Sequence, residues 1–514
     1  MDNQQVELSD IQRFYKNSTV FLTGSTGFIG KLFLEKILRG LPVKHVYILI
    51  REKDEVSAAE RFKKLFESPV FDLLKRTSSD SLKKVTLMRG DCLLPNLGLS
   101  LEDRTAFVED VNVVFHCAAL VRTEEHIKKA TLVNVKATID LIELAKQIPK
   151  LKVFIHLGNG FSNCNRMEIK EEVYPANILA ENLISACESL SDDILSQATP
   201  ALIAGFPNTS IFTQQVAEEY INRKANRIPI CIARPTIAVS TEAEPVAAFV
   251  DTFYNLPGIV LANVLGMIRI SYYKNTNLDI VPADFIVNEC IAAGWQTADS
   301  FKPSRLEVPV YNISSTQDNP ISQDDIYNLC DNYSKESPSS KLHAYPLHFR
   351  TTCKPNYLLV RYIFHTLLAQ IVDFALKTTG KRCCCARGVE RFHKLQEDHE
   401  YLSTVQYFHH VDNTHKLLKK MSFQDRELFN FDITTIKWDN YFSQYYKGLR
   451  FYLLNDTMET LAVARQRYSS LKMIFIFIAL VGVVVSYVLG KYIIFRVLPC
   501  ILQLVLNVIR NTVC

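Results

Sequence analysis

The sequence predicts an α/β protein, and three observations carry that prediction. Short β-rich runs alternate with helical patterns from residue 18 to about 300. Three glycines, Gly24, Gly27 and Gly30, fall between the first such run and the first helical pattern. A charge-free apolar stretch, Met473 to Gly490, follows all the globular sequence. Alternating strands and helices mark βαβ units, so a Rossmann-type doubly wound parallel sheet is expected. A mostly helical C-terminal domain and a C-terminal transmembrane segment complete the expected architecture.

Ser18 to Thr23 is the first strand, and Lys31 to Leu38 carries apolar residues at helical spacing. Strands are expected at Val46–Ile50, Val85–Met88, Val113–His116 and Phe154–Leu157, with a helix over Ala130–Gln147. Beyond residue 300 the pattern becomes helical. Asn356 to Leu376 reads as a mostly apolar helix, and Asn430–Asp432 with Trp438–Tyr441 as a turn-and-helix unit. Met473 to Gly490 would span about 27 Å as a helix, enough for a thin bilayer. Tyr492 to Ile509, broken by Arg496 and Pro499, reads as a re-entrant or interfacial segment or as a second span.

The chain has 514 residues, enough for roughly three modules. A 48% hydrophobic content, with Gly 17 and Pro 19, excludes disordered and collagen-like chains. A net charge of +4 from 58 basic and 54 acidic residues argues against a nucleic-acid partner. The 13 cysteines show neither a C-x-x-C pair nor zinc-ligand spacing, so reduced thiols and no metal are expected. Cys383-Cys384-Cys385 reads as part of an exposed basic loop, with acylation as the alternative. Met1 to Asp10 lacks the apolar core of a secretory signal.

The strongest motif is Thr23-Gly24-Ser25-Thr26-Gly27-Phe28-Ile29-Gly30. Gly24 permits the tight turn, Gly27 the approach of a pyrophosphate, and Gly30 close helix–strand packing. The unpaired N–H groups of the helix start suit phosphate. Cofactor choice turns on the end of the second strand, where Arg51 stands instead of an acidic residue. A guanidinium there suits a 2′-phosphate, which selects NADPH. Asp91 is placed toward the adenine, and Ala118 ends a strand where backbone can approach the cofactor. Asn134 lies in the helix that follows.

These segments resemble the extended short-chain dehydrogenase/reductase superfamily. Ile280-Val-Pro-Ala-Asp284, Arg426–Asp432, Trp438–Phe442 and Gly448–Tyr452 narrow the resemblance to animal fatty acyl-CoA reductases, over residues 15 to 468. The resemblance implies four-electron reduction of a long-chain acyl-CoA to a fatty alcohol by NADPH. It also implies a catalytic Tyr-x-x-x-Lys pair after Pro-Asn-Thr. Here Pro207-Asn-Thr is followed by Ser210 where Tyr is expected and Gln214 where Lys is expected. Gly158 and Asn159 replace the Ser-Thr hydroxyl pair, so no catalytic position is intact. Tyr174, followed by Pro175 and without a Lys four residues on, reads as structural. The stretch Ala262–Met267 lacks an expected lysine.

The expected divisions are 15–300 for the cofactor-binding reductase domain, 301–355 for a connecting segment, 356–468 for the helical C-terminal domain, 473–490 for the membrane helix and 492–509 for a second membrane segment. Two functions compete. One is an acyl-CoA reductase with low turnover. The other is an inactive relative that binds acyl-CoA or NADPH, as a homo-oligomer or as a hetero-oligomer with an active reductase. Arg465, Arg467 and Lys472 ahead of the membrane helix place the body in the cytosol, at the endoplasmic reticulum or peroxisome.

Overall fold

The computed structural model describes residues 7–225, 227–304, 307–380 and 385–492. Seven strands form one sheet: β1 Thr19–Thr23, β2 His45–Ile50, β3 Val85–Arg89, β4 Val113–His116, β5 Val153–Leu157, β6 Ile230–Pro235 and β7 Val310–Ile313. Their spatial order is β3-β2-β1-β4-β5-β6-β7 and every pairing is parallel. β1 and β4 are buried along their whole length, as apolar strands between neighbours must be. The order reverses between β1 and β4, and that switch point opens a crevice at the carboxyl ends of the strands.

Helix α1 (Phe28–Gly40) follows β1. The helix α2 spans 127–145, where Thr131–Lys136 winds as a π-helical turn between two α segments. Helix α3 (Thr209–Lys224) packs on that turn. Helix α4 (Ala283–Asp299) packs on β5, β6 and α1.

The break expected at residue 300 is corrected. β7 lies in the segment taken as connecting and supplies an edge of the sheet, bonded to Ile232–Pro235. Its four residues are all buried, which alternating exposure in a linker would not give. The C-terminal region is mostly helical but is not a separate body. Phe408–His409 pairs in parallel with Glu168–Ile169, and Tyr441 donates to the carbonyl of Ser240 at 2.9 Å. The buried His409 lies 2.7 Å from the Asp279 carboxylate, and its other ring nitrogen lies 2.9 Å from the Gly160 carbonyl. The region thus buttresses the loop after β5.

Helix α5 (Lys354–Thr378) is followed by α6 (Cys385–Asp398), α7 (Trp438–Gly448) and α8 (Leu461–Tyr492). α8 covers the expected membrane segment 473–490 without interruption. Among the described residues two helices, 354–378 and 458–485, are long and apolar enough to cross a membrane. Residues 493–509 of the expected second segment, and Cys383 and Cys384, lie outside the described residues.

Candidate dinucleotide and catalytic site

Each glycine after β1 answers a different constraint. Gly24 has φ +75°, and a Cβ there would lie 2.7 Å from the Cys117 carbonyl carbon. A Cβ on Gly30 would come within 2.0 Å of the Gly24 oxygen. Gly27 is different: a Cβ would meet only that same oxygen, at 3.3 Å. The protein's own packing asks least of Gly27, so its freedom serves what approaches the loop. Gly27 also N-caps α1 without a side-chain bond, leaving the first N–H groups of the helix for an anion. Ser25 is buried and its Oγ has no partner. Phe28 and Ile29 turn into the core, Phe28 against Phe249.

Gly24, Thr26, Gly27, Arg51, Asp91 and Ala118 line one cleft of about 370 Å³ at the switch point. Thr23 stands behind it: its Oγ1 accepts from the N–H groups of Cys117 and Ala118, both at 3.1 Å, and fixes the end of β4. Asp91 lines the cleft with both carboxylate oxygens engaged by the protein. One of its oxygens accepts from Leu93 N–H at 3.0 Å and the other lies 3.4 Å from Arg51 Nη1. Sequence reasoning missed Arg61, which donates to the Arg51 carbonyl at 2.6 Å and to Thr26 Oγ1 at 3.1 Å. Burial, and then the positive charge of Arg51, lower its pKa, a sign that an anion is wanted there. The signal was present in Ser57-x-x-Glu60, a capping box that starts a helix and puts Arg61 in its first turn.

A buried chain of hydrogen bonds runs from the glycine loop to α3. Thr23 Oγ1 meets His116 Nδ1 at 2.8 Å, His116 Nε2 meets Thr138 Oγ1 at 3.0 Å, and Thr138 donates to the Asn134 carbonyl at 2.8 Å. Burial lowers the His116 pKa to about 4, so the ring is neutral. Asn134, in the π-helical turn, then holds the Leu120 peptide from both sides. Its Oδ1 accepts from Leu120 N–H at 2.7 Å and its Nδ2 donates to Leu120 O at 3.1 Å. Leu120 lines the cleft.

Ser210 donates its Oγ–H to that same Leu120 carbonyl. Asn208 caps α3 by accepting from Ile211 N–H at 3.0 Å, which sets Ser210 in the first turn. Gln214, one turn on, donates to Ser210 Oγ at 3.4 Å, and its Oε1 is buried without a partner. The two residues are 2% and 4% exposed. The pair thus shares a helix face at the edge of the cleft, and neither member is ionisable. Asn159 sits in the turn after β5, where its Oδ1 accepts from Phe161 N–H at 2.8 Å. Beside it, a Cβ on Gly158 would lie 2.6 Å from Glu218 Oε1. That carboxylate is held by Arg234 at 2.7 Å and by Ser162 at 2.9 Å.

Tyr174 accepts from Lys170 N–H at 2.9 Å and closes a turn, a structural role as expected. Tyr254, which sequence reasoning overlooked, donates to the Val121 carbonyl at 2.5 Å. Burial and the Asp398 charge raise its pKa to about 12, the wrong direction for a proton donor at neutral pH. In the stretch Ala262–Met267, Asn263 is buried with both amide atoms unpartnered. Clusters of three or more His, Cys, Asp or Glu side chains that could hold a metal ion are absent among the described residues.

Comparison with known proteins adds a separate line. The NAD-binding domain of the male sterility protein family matches residues 22–290, and a second male sterility protein domain matches 364–456. "Fatty acyl-CoA reductase wat" of Drosophila melanogaster is 34% identical over 471 residues, 91% of this chain and 90% of that protein. "Fatty acyl-CoA reductase 1" of Rattus norvegicus is 32% identical over 467 residues, 90% of each. Among solved structures, the terminal R domain of the myxalamid biosynthetic pathway superposes with a TM-score of 0.55 at 17% identity, covering 85% of this chain and 91% of that one. That likeness is one of fold.

Proposed function

The chain belongs to the fatty acyl-CoA reductase family, and on that premise we propose that it binds NADPH and a long-chain acyl-CoA and reduces the thioester to a fatty alcohol slowly. The observation that carries the proposal is the buried Ser210–Gln214 pair, bonded to the Leu120 carbonyl at the edge of the cleft. Two NADPH molecules, bound in turn, would supply the two hydrides that the four-electron reduction needs, with CoA leaving as the thiol. The chain's own residues do the rest. The orphan Ser25 Oγ, the free helix start at Gly27 and the guanidiniums of Arg51 and Arg61, both lining the cleft, fit a dinucleotide with a 2′-phosphate. Gln214, whose buried Oε1 has no partner in the protein, would hydrogen-bond the ribose without charge.

The weak step is protonation of the carbonyl oxygen. A serine hydroxyl without a neighbouring cation is a far poorer acid than a phenol beside an ammonium. A positioned general acid is worth about 10²–10⁴-fold. An oxyanion donor, missing at Gly158, adds roughly 2.7–4 kcal/mol. The alternative is a chain that keeps both ligands and has lost turnover, acting alone or with an active reductase. Its support is that Ser210 already spends its proton on Leu120. The apolar α8 anchors the body on the cytosolic side of the endoplasmic reticulum or peroxisome in this reading.

Expression in cells that make no fatty alcohol, followed by lipid extraction, separates the two. Alcohol above the vector control supports the slow reductase. Its complete absence, with NADPH binding intact, supports the binding protein.

A further inference from the structure

We propose that α5 is a second membrane contact, lying in the plane of the bilayer surface with its apolar face at the headgroup–acyl boundary. The proposal rests on the reading of α8 as the anchor. α5 exposes Leu359, Phe364, Ile371 and Phe374, at 58%, 53%, 55% and 71%. A contiguous apolar face of this kind marks an interaction site on a folded protein.

What covers that face follows from its neighbours. Phe475, inside the apolar run of α8, stacks on Tyr345 with ring centroids 5.4 Å apart. The Tyr345 carbonyl accepts from the Arg269 guanidinium. The backbone N–H of Arg269 donates at 2.8 Å to His365 Nε2, on α5. Two residues, Tyr345 and Arg269, therefore join the root of the anchor to α5, and the bilayer that takes α8 meets α5 as well. Lys377 stands in the last turn of the helix, a basic end suited to phosphate headgroups.

The other side of α5 decides between lying and crossing. His365 is buried there with its Nδ1 2.9 Å from His393 Nε2, and Arg361 pairs with Glu397 at 2.5 Å. Both partners belong to α6, which carries Arg391, Lys394 and Asp398 besides. A crossing α5 would drag this charged helix into hydrocarbon. An α5 lying flat keeps α6 on the water side. α6 in turn holds the loop beside Ser210, through Asp398 on Thr123 and Lys394 on Glu124 at 3.0 Å. The docked pair thus sets the mouth of the site next to the lipid that stores acyl chains.

The test places an environment-sensitive fluorescent amino acid in turn at Phe364, Phe374, Val483 and Leu101 of the full-length chain. The protein is reconstituted in phosphatidylcholine vesicles brominated at shallow or deep acyl positions. Phe364 and Phe374 are expected to be quenched several-fold more by shallow bromine than by deep, Val483 by deep bromine, and Leu101 by neither. With the label at Ile371, Phe364→Asp combined with Phe374→Asp is expected to abolish shallow quenching, and both sites are exposed, so folding is retained. Quenching at 364 and 374 no stronger than at 101, with 483 still quenched, overturns the docking face and leaves the anchor. Deep quenching at 364 or 374 overturns it in favour of a crossing helix. No quenching at any position overturns the anchor too.

Discussion

Replacing Ser210 by Tyr and Gln214 by Lys together is expected to raise acyl-CoA reduction, and the structure sets the size. The two positions are one helical turn apart and already bonded to each other, so a phenol and an ammonium would face each other. At about 4 Å and an effective dielectric near 20, a unit charge pair interacts by roughly 4 kcal/mol. That lowers the phenol pKa by about three units, which the neutral Gln214 amide cannot do. The general acid so created is worth about 10²–10⁴-fold, or roughly 2.7–5.5 kcal/mol. Against this stands the burial of both sites. A larger side chain in a packed position costs about 1–3 kcal/mol of stability. Desolvation also pulls the new lysine's pKa down, so the double variant should be both faster and less heat-stable. Each single variant should gain little, because the two act as a unit. The assay is alcohol formation by purified full-length protein with NADPH and acyl-CoA, alongside thermal unfolding. If the unmodified chain already turns over as fast as a relative with the intact pair, and Ser210→Ala leaves that rate unchanged, the proton comes from elsewhere and the reasoning fails.

Other outcomes follow from the same geometry. NADPH should bind more tightly than NADH, and Arg51→Glu or Arg61→Met should weaken NADPH about 10-fold or more, since a charge-assisted contact is worth roughly 1.5–3 kcal/mol; equal affinity of the unmodified chain for both cofactors in a fluorescence titration would remove the role of both guanidiniums. Gly30→Ala should abolish soluble expression, its Cβ falling 2.0 Å from the Gly24 oxygen, whereas Gly27→Ala should fold and lose cofactor affinity in calorimetry. Burial lowers His365 and His393 to about 4 in the folded chain from an ordinary 6.5. The unfolded chain therefore binds more protons between those values, and the contact between α5 and α6 should weaken as pH falls through that window, read as lower amide protection factors, each rate divided into the intrinsic rate at its own pH, at pH 5 than at pH 7. Deletion from Met473 onward should release part of the protein from membranes, and the body should be digested by protease added to intact microsomes; full protection would reverse the orientation.

The sheet was legible because buried parallel strands leave apolar runs, and the runs from Thr19 to Leu157 fall within a residue of the observed strands. β6 (Ile230–Pro235) and β7 were not read as strands; Val310–Ile313 is short and follows a change of pattern, and only its pairing with β6 reveals it. The glycine loop was legible because each glycine has a steric reason. Asn134 was noticed only as a helix residue, because the π-helical turn that aims it at Leu120 depends on tertiary packing. Arg61 was hidden in a loop-to-helix junction whose cap was readable but whose direction was not. The substitutions at 210 and 214 could be found only against the family pattern, since serine and glutamine in a helix carry no signal of their own.

The Leu120 peptide has a consequence for how variation in this chain should be interpreted. Its N–H and C=O are both engaged, by Asn134 and by Ser210, yet its side chain takes no part in those bonds. A saturation scan would therefore score position 120 as tolerant and position 134 as fragile, although both serve one contact. Maps of mutational tolerance would draw the site without its central acceptor. Weakening that acceptor needs a backbone edit, an amide-to-ester replacement at Val121 that turns the Leu120 carbonyl into a poorer ester acceptor. Semisynthesis, rather than side-chain scanning, is the means of weighing this part of the protein.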